Sequence, residues 1–201
     1  FVHCLSKVCP PILKAILDSG RIDFQGMICP GHVSAIVGAK TWDFIAKDYG
    51  IPCVVAGFEA LDILKAVDML VAQVEKGEAR VEIAYKRGVT REGNQRALDM
   101  MYKVFEMGTS SWRGIGEVPM SGLVIRDEYK RFDSKENFKI ETRPSIEPAG
   151  CICGAILRGE QTPFDCKLFG KGCTPMNPVG PCMVSSEGSC STYYLHGGKI
   201  D

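Results

Sequence analysis

From residue 10 onward the apolar positions recur at helical spacing. Ile12, Leu13, Ile16 and Leu17 share one side of the stretch 10–19, with prolines at its start and Gly20 at its stop. Residues 24–29, FQGMIC, then read as a short strand running into a turn at Pro30, Gly31 and His32. Ser34 is placed to cap a helix over 34–49 that Gly50 closes. The continuous apolar run IPCVVA at 51–56 predicts a strand buried on both faces. Gly57, Phe58 and Glu59 lead into a second helix over 61–74, where Leu61, Leu64, Val67, Met69, Leu70 and Val74 offer a stripe for burial. VEIAYKRGV at 81–89 supplies a further strand and 94–107 a further helix. Strand alternating with helix is the parallel βαβ pattern, so residues 1–126 are expected to form an α/β, parallel-sheet, three-layer domain.

After Gly108 the periodicity weakens. Residues 112–125 offer short β segments broken by Gly114, Gly116, Pro119 and Gly122, and from Asp127 the chain turns to prolines, polar turns and then cysteines. A linker is expected near 127–150, and 127–201 as a whole reads as that linker followed by a small, irregular, cysteine-rich domain. Lys plus Arg and Asp plus Glu both number 24, which leaves none of the basic excess that nucleic-acid binding requires. No apolar run has the length of a membrane span and no signal-peptide pattern opens the chain, so a cytoplasmic protein is expected. The chain opens on Phe1 rather than Met and is expected to be a piece of a longer protein.

Composition changes the picture most through cysteine. Six of the ten cysteines, Cys151, Cys153, Cys166, Cys173, Cys182 and Cys190, crowd into the last quarter, with gaps of one, twelve, six, eight and seven residues. Paired CxxC knuckles, the usual mark of a zinc ribbon, are absent. Soft thiolates on wide loops suit a [4Fe–4S] cluster, whose cysteines bind separate iron corners, and the surrounding glycines let backbone N–H groups approach sulfur. Zinc and disulfides stay open as alternatives. Among the first residues, His3 and Cys4 form a possible donor pair, although a cysteine between apolar neighbours ordinarily serves as packing.

The loops Pro30-Gly31-His32 and Gly57-Phe58-Glu59 both follow expected parallel strands, so both should open at the carboxyl edge of the sheet, where α/β proteins place their sites. His32, able to move a proton near neutrality, and Glu59 are therefore the candidate catalytic residues. No dinucleotide or P-loop glycine motif and no GxSxG elbow accompanies them.

The wording of five segments resembles one family. PGHVSAIVG at 30–38, VVAGFEALDIL at 54–64, WRGIG at 112–116, YKRFD at 129–133, and CGAILRG through MVSSEGSCSTYY at 153–194 stand in the order found in the HypD family of hydrogenase maturation factors. That resemblance implies that Cys153, Cys166, Cys173 and Cys190 hold a [4Fe–4S] cluster, with Cys151 and Cys182 as alternates. It gives Glu187 a place beside the site or facing a partner. It further implies a scaffold and redox role in assembling the Fe(CN)2CO centre of [NiFe] hydrogenase, with a HypC-like small chaperone and a HypE-like cyanide donor as partners. Members of the family are longer, this chain resembles about their C-terminal half, and the iron of that centre is expected only in the complete protein. The competing reading is a stand-alone Fe–S or zinc enzyme acting on a small molecule at the two-loop edge.

Overall fold

The computed structural model describes residues 1–20, 24–112, 115–138 and 148–197. Helix α1, Cys9–Asp18, has prolines in its first turn, where a missing N–H costs nothing, and buries Ile12 and Leu17. Strands β1, Met27–Pro30, β2, Cys53–Ala56, and β3, Val81–Ile83, form a parallel sheet in the order β1-β2-β3. The central strand is buried at all four positions, as its unbroken apolar sequence predicts. Because side chains alternate across a strand, Cys53 and Val55 join a core with Leu17, Trp42 and Ile45, while Val54 and Ala56 meet Ala66 of helix α4, Ala60–Glu75. Helices thus cover both faces of the sheet.

The helix expected over 34–49 is instead three pieces: α2, Gly31–Val37, a 3-10 turn, Ala39–Trp42, and α3, Asp43–Tyr49. Gly38 breaks it at φ +81°, and the strap at 90–93 takes over its hydrogen bonds. Ala39 N donates to Thr90 O and Lys40 N to Arg91 O, and a Cβ on Gly38 would stand 2.5 Å from Arg91 O. Ser34 caps nothing. It is buried in α2, where its hydroxyl donates to Pro30 O and accepts the Trp42 indole N–H at 2.8 Å.

The buried stripe of α4 is also rotated from expectation. Asp62, Ala66 and Gln73 are buried and Met69 and Leu70 pack beside them, whereas Leu61 and Leu64 are 78% and 64% exposed and Val67 and Val74 also face outward. Polar partners turn the helix. Asp62 is bound by Arg87, and Gln73 bridges Arg80 N at 3.0 Å and Glu82 at 2.8 Å across to β3. These bonds satisfy the buried amide and carboxylate.

Helix α5, Gln95–Val104, is capped by the Asn94 side chain accepting from Ala97 N and ends before the expected Met107. The chain extends there into β4, Phe105–Trp112, which pairs antiparallel with β5, Gly116–Ile125. Within the expected linker, a 3-10 turn at Asp127–Phe132 and helix α6, Ser134–Asn137, bind the first residues: Val2 N donates to Phe132 O and Ser134 N to Val2 O. Residues 139–147 of that stretch, and Arg113 and Gly114 of WRGIG, lie outside the described residues. The cysteine-rich part holds four short elements: α7, Cys153–Leu157, a 3-10 turn at Pro163–Asp165, α8, Pro181–Val184, and α9, Ser189–His196. Among the described residues no helix is long and apolar enough to cross a membrane.

Candidate functional site

Parallel pairing sends all three strands of the sheet out at one edge, and the two expected loops meet there. The His32 and Phe58 rings are 5.1 Å apart between centroids. Gly31 and Gly57 allow this closeness, since a Cβ on Gly31 would overlap Ala56 O and one on Gly57 would overlap the Asp62 carboxylate, each also pressing on the Tyr85 ring. Glu59 is the N-cap of α4, its carbonyl accepting from Ile63 N, but its side chain makes no cap bond. It pairs instead with Arg87 at 3.0 Å. Arg87 also grips Asp62 through two bonds of 2.6 and 2.7 Å and lies 4.6 Å over the Tyr85 ring. The guanidinium holds the Asp62 carboxyl below the usual range, and the carboxylate raises Arg87 in return. Arg87 and Asp62 escape a reading by loops: Asp62 sits inside an apolar helix pattern and Arg87 in a strand-like one, and only the fold joins them.

The second site is the cysteine cavity. Cys153, Cys166, Cys173, Cys182 and Cys190 are buried in one cluster, Cys151 packs at its side, and all ten cysteines of the chain are free thiols, so the disulfide alternative is not met. Five of them, Cys151, Cys153, Cys166, Cys173 and Cys190, line one small, tight cavity whose remaining wall is Ile156, Leu168, Phe169, Gly180 and Met183. Cys182 does not line it. Its backbone N–H reaches Cys153 Sγ at 3.1 Å, and Val179 N reaches Cys173 Sγ at 3.3 Å. Gly180 is required beside the sulfurs, because a Cβ there would lie 2.5 Å from Cys151 Sγ and 3.4 Å from Cys153 Sγ. Burial first, then the neighbouring thiols, pushes Cys190 up to about 12. A cation entering the cavity therefore has to displace protons.

Zinc would draw its donors to about 2.3 Å from one point. Among the described residues no three His, Cys, Asp or Glu side chains converge in that way. Five thiols around one cavity, with N–H groups aimed at two of them, are the soft donor set this part of the chain offers. Both Cys151 and Cys153 reach the cavity wall. Glu187 is exposed, with its N–H bound to Ser185, and does not line the cavity. His3 bonds Ser134 at 2.8 Å, and Cys4 donates to Leu123 O.

The family model HypD, described as the hydrogenase formation hypA family, matches residues 1–197. The hydrogenase maturation factor HypD of Cupriavidus necator is 45% identical over 203 residues, covering 98% of this chain and 54% of that protein. The hydrogenase expression/formation protein HupD of Azotobacter chroococcum is 45% identical over 202 residues, covering 98% and 53%. HypD of Rhodobacter capsulatus is 44% identical over 202 residues, covering 98% and 54%. The chain spans about half the length of these relatives.

Proposed function

Since the chain belongs to the HypD family of hydrogenase maturation factors, we propose that it is the cluster-bearing part of a cytoplasmic scaffold and redox protein for assembly of the Fe(CN)2CO centre. The observation carrying this reading is the cavity walled by five free cysteines. Cys153, Cys166, Cys173 and Cys190 would hold a [4Fe–4S] cluster there, with Cys151 as the alternate to Cys153. Such a cluster, when bound, supplies one-electron chemistry. This chain's own contributions are the Val179 and Cys182 N–H groups at two of the sulfurs, which stabilise thiolate charge, and the apolar wall of Ile156, Leu168 and Met183, which limits water.

The sheet edge is the second working surface. His32 is placed to take or give a proton beside the exposed Phe58, and the Glu59–Arg87–Asp62 chain holds the loop facing it. A HypC-like chaperone and a HypE-like cyanide donor are the proposed partners, with the iron bearing cyanide and carbon monoxide as cargo. Anaerobic purification followed by iron and acid-labile sulfide analysis tests the cluster assignment. About four of each per chain are expected, and stoichiometric zinc without sulfide would overturn it.

A further inference from the structure

The three strands of the parallel sheet send three loops to one edge, and the third of them, after β3, carries Tyr85. Its backbone is fixed from the central strand, since Ala84 N and Tyr85 N both donate to Val55 O, at 2.9 and 3.2 Å, and Tyr85 O accepts from Gly88 N and Val89 N. Its ring is met by a glycine from each loop. A Cβ on Gly31 would stand 2.9 Å from Tyr85 Cδ1, one on Gly57 2.8 Å from Cδ2, and one on Gly88 2.5 Å from Cε1. Cδ1 and Cδ2 lie on opposite sides of the ring axis, so the His32 loop and the Phe58 loop each bring bare backbone against one rigid spacer.

The contact between His32 and Phe58 needs such a support. Both residues are exposed, Phe58 to 71%, so burial around the two rings does not fix them. Their centroid spacing of 5.1 Å has to be set by the backbone beneath. Arg87 locks the arrangement from the ring face: its guanidinium lies 4.6 Å over Tyr85 while it holds Asp62 and Glu59. Stacking and ion pairing on one guanidinium thereby tie the spacer to the loop it spaces.

We propose that Tyr85 is a positioning residue of the sheet-edge site, whose ring sets the distance and angle between the His32 loop and the Phe58-Glu59 loop. The inference rests on the reading of that edge as a working surface. Tyr85 itself touches no reacting group in this scheme; it acts through Gly31 and Gly57. A displacement of about 1 Å at a reacting group slows a reaction on the order of a hundredfold, so a ring beneath the site controls what happens above it.

The test uses the whole chain, purified anaerobically, and NMR of its histidine rings. The chain has three histidines, and His32→Gln identifies the His32 signal. The parent protein is expected to show a nuclear Overhauser effect between the His32 and Phe58 rings and a ring-current displacement that Phe58→Leu removes. Tyr85→Phe keeps the ring and is expected to keep both signatures, whereas Tyr85→Leu is expected to lose them. Gly88→Ala supplies a second route, because the three atoms nearest its new methyl are Cε1, Cζ and Oη of Tyr85, and leucine has none of them. It is expected to displace the His32 signal in the parent and to add nothing in Tyr85→Leu. Where Tyr85→Leu does not fold, Gly88→Ala alone decides. An unchanged His32–Phe58 signature in Gly88→Ala, or in folded Tyr85→Leu, would overturn the positioning role. In cells lacking their own HypD and supplied with the remaining length of a relative, Tyr85→Leu is expected to lower hydrogenase maturation on the order of tenfold or more, and Tyr85→Phe to stay within about twofold. Full maturation by His32→Gln would instead sink the sheet-edge reading, and the NMR signatures would still decide whether Tyr85 places the loops.

Discussion

Around the cysteine cavity a backbone position and a side chain one residue pair apart have opposite consequences. Cys182 contributes its N–H to Cys153 Sγ, while its own buried thiol packs behind the cavity wall, beside Cys153, and does not line the cavity. Cys182→Ser keeps that N–H, so iron content is expected to stay at the parent value, with a stability loss of about 1–3 kcal/mol from burying a hydroxyl. Gly180→Ala puts a methyl against two sulfurs and is expected to lose most of the iron. Metal analysis of both variants checks the pair, and equal iron in the two would contradict the geometry. A different thiol sets a pH response. Hydrogen bonding with Cys53, and then burial, raises Cys29 well above an ordinary thiol. Below about pH 8.5 the thiol is protonated in the folded and unfolded chain alike and adds no pH dependence. Above that pH the unfolded chain releases this proton and the folded chain keeps it, so fewer protons are bound on unfolding and stability falls as pH rises. Cys29→Ala is therefore expected to lose less melting temperature than the parent between pH 8 and 10.5. Parallel curves would count against the buried-thiol account.

At the scale of elements, helix α4 separates what apolar pattern reveals from what it hides. The existence of the helix follows from its sequence, but the buried side is chosen by Asp62 and Gln73, whose partners Arg87, Arg80 and Glu82 lie on or beside β3. No local pattern announces such long-range pairs. Leu64→Lys is accordingly expected to change stability by no more than about 0.5 kcal/mol, whereas Ala66→Leu, pressed against Val54 and Ala56, should cost about 1–3 kcal/mol. Chemical denaturation of the two variants decides between this face and the one favoured by hydrophobicity alone. The same limit explains the broken helix at Gly38, where a strap more than fifty residues away supplies the hydrogen bonds. Strand β2, by contrast, was legible because both of its faces are buried and every residue reports it. The meeting of the His32 and Glu59 loops was legible for a topological reason: parallel strands share an exit edge. The cavity was legible only as a crowd of cysteines, since which thiol turns inward depends on turns that spacing does not encode.

At the scale of the molecule, the cysteine cavity and the sheet edge divide two kinds of chemistry. The cavity gathers thiols around a volume, while the edge gathers His32, Glu59 and Arg87 without a thiol among them. A four-thiolate cluster has its iron corners satisfied by protein sulfur and leaves no position for carrying a second iron centre. Across the described residues, the cysteine cavity included, no three His, Cys, Asp or Glu side chains come together on one ion. A single iron carrying cyanide and carbon monoxide therefore has no preformed three-donor seat on the described surface. Curated relatives are about twice as long as the region matched, which leaves room in them for such a seat. The isolated 201-residue chain is thus expected to bind its cluster, to show no infrared bands from iron-bound cyanide or carbon monoxide, and to leave hydrogenase immature in cells lacking their own HypD. Supplying the remaining length of a relative is expected to restore both the bands and maturation. Bands on the isolated chain would locate the cargo site within these residues and reverse that division of labour.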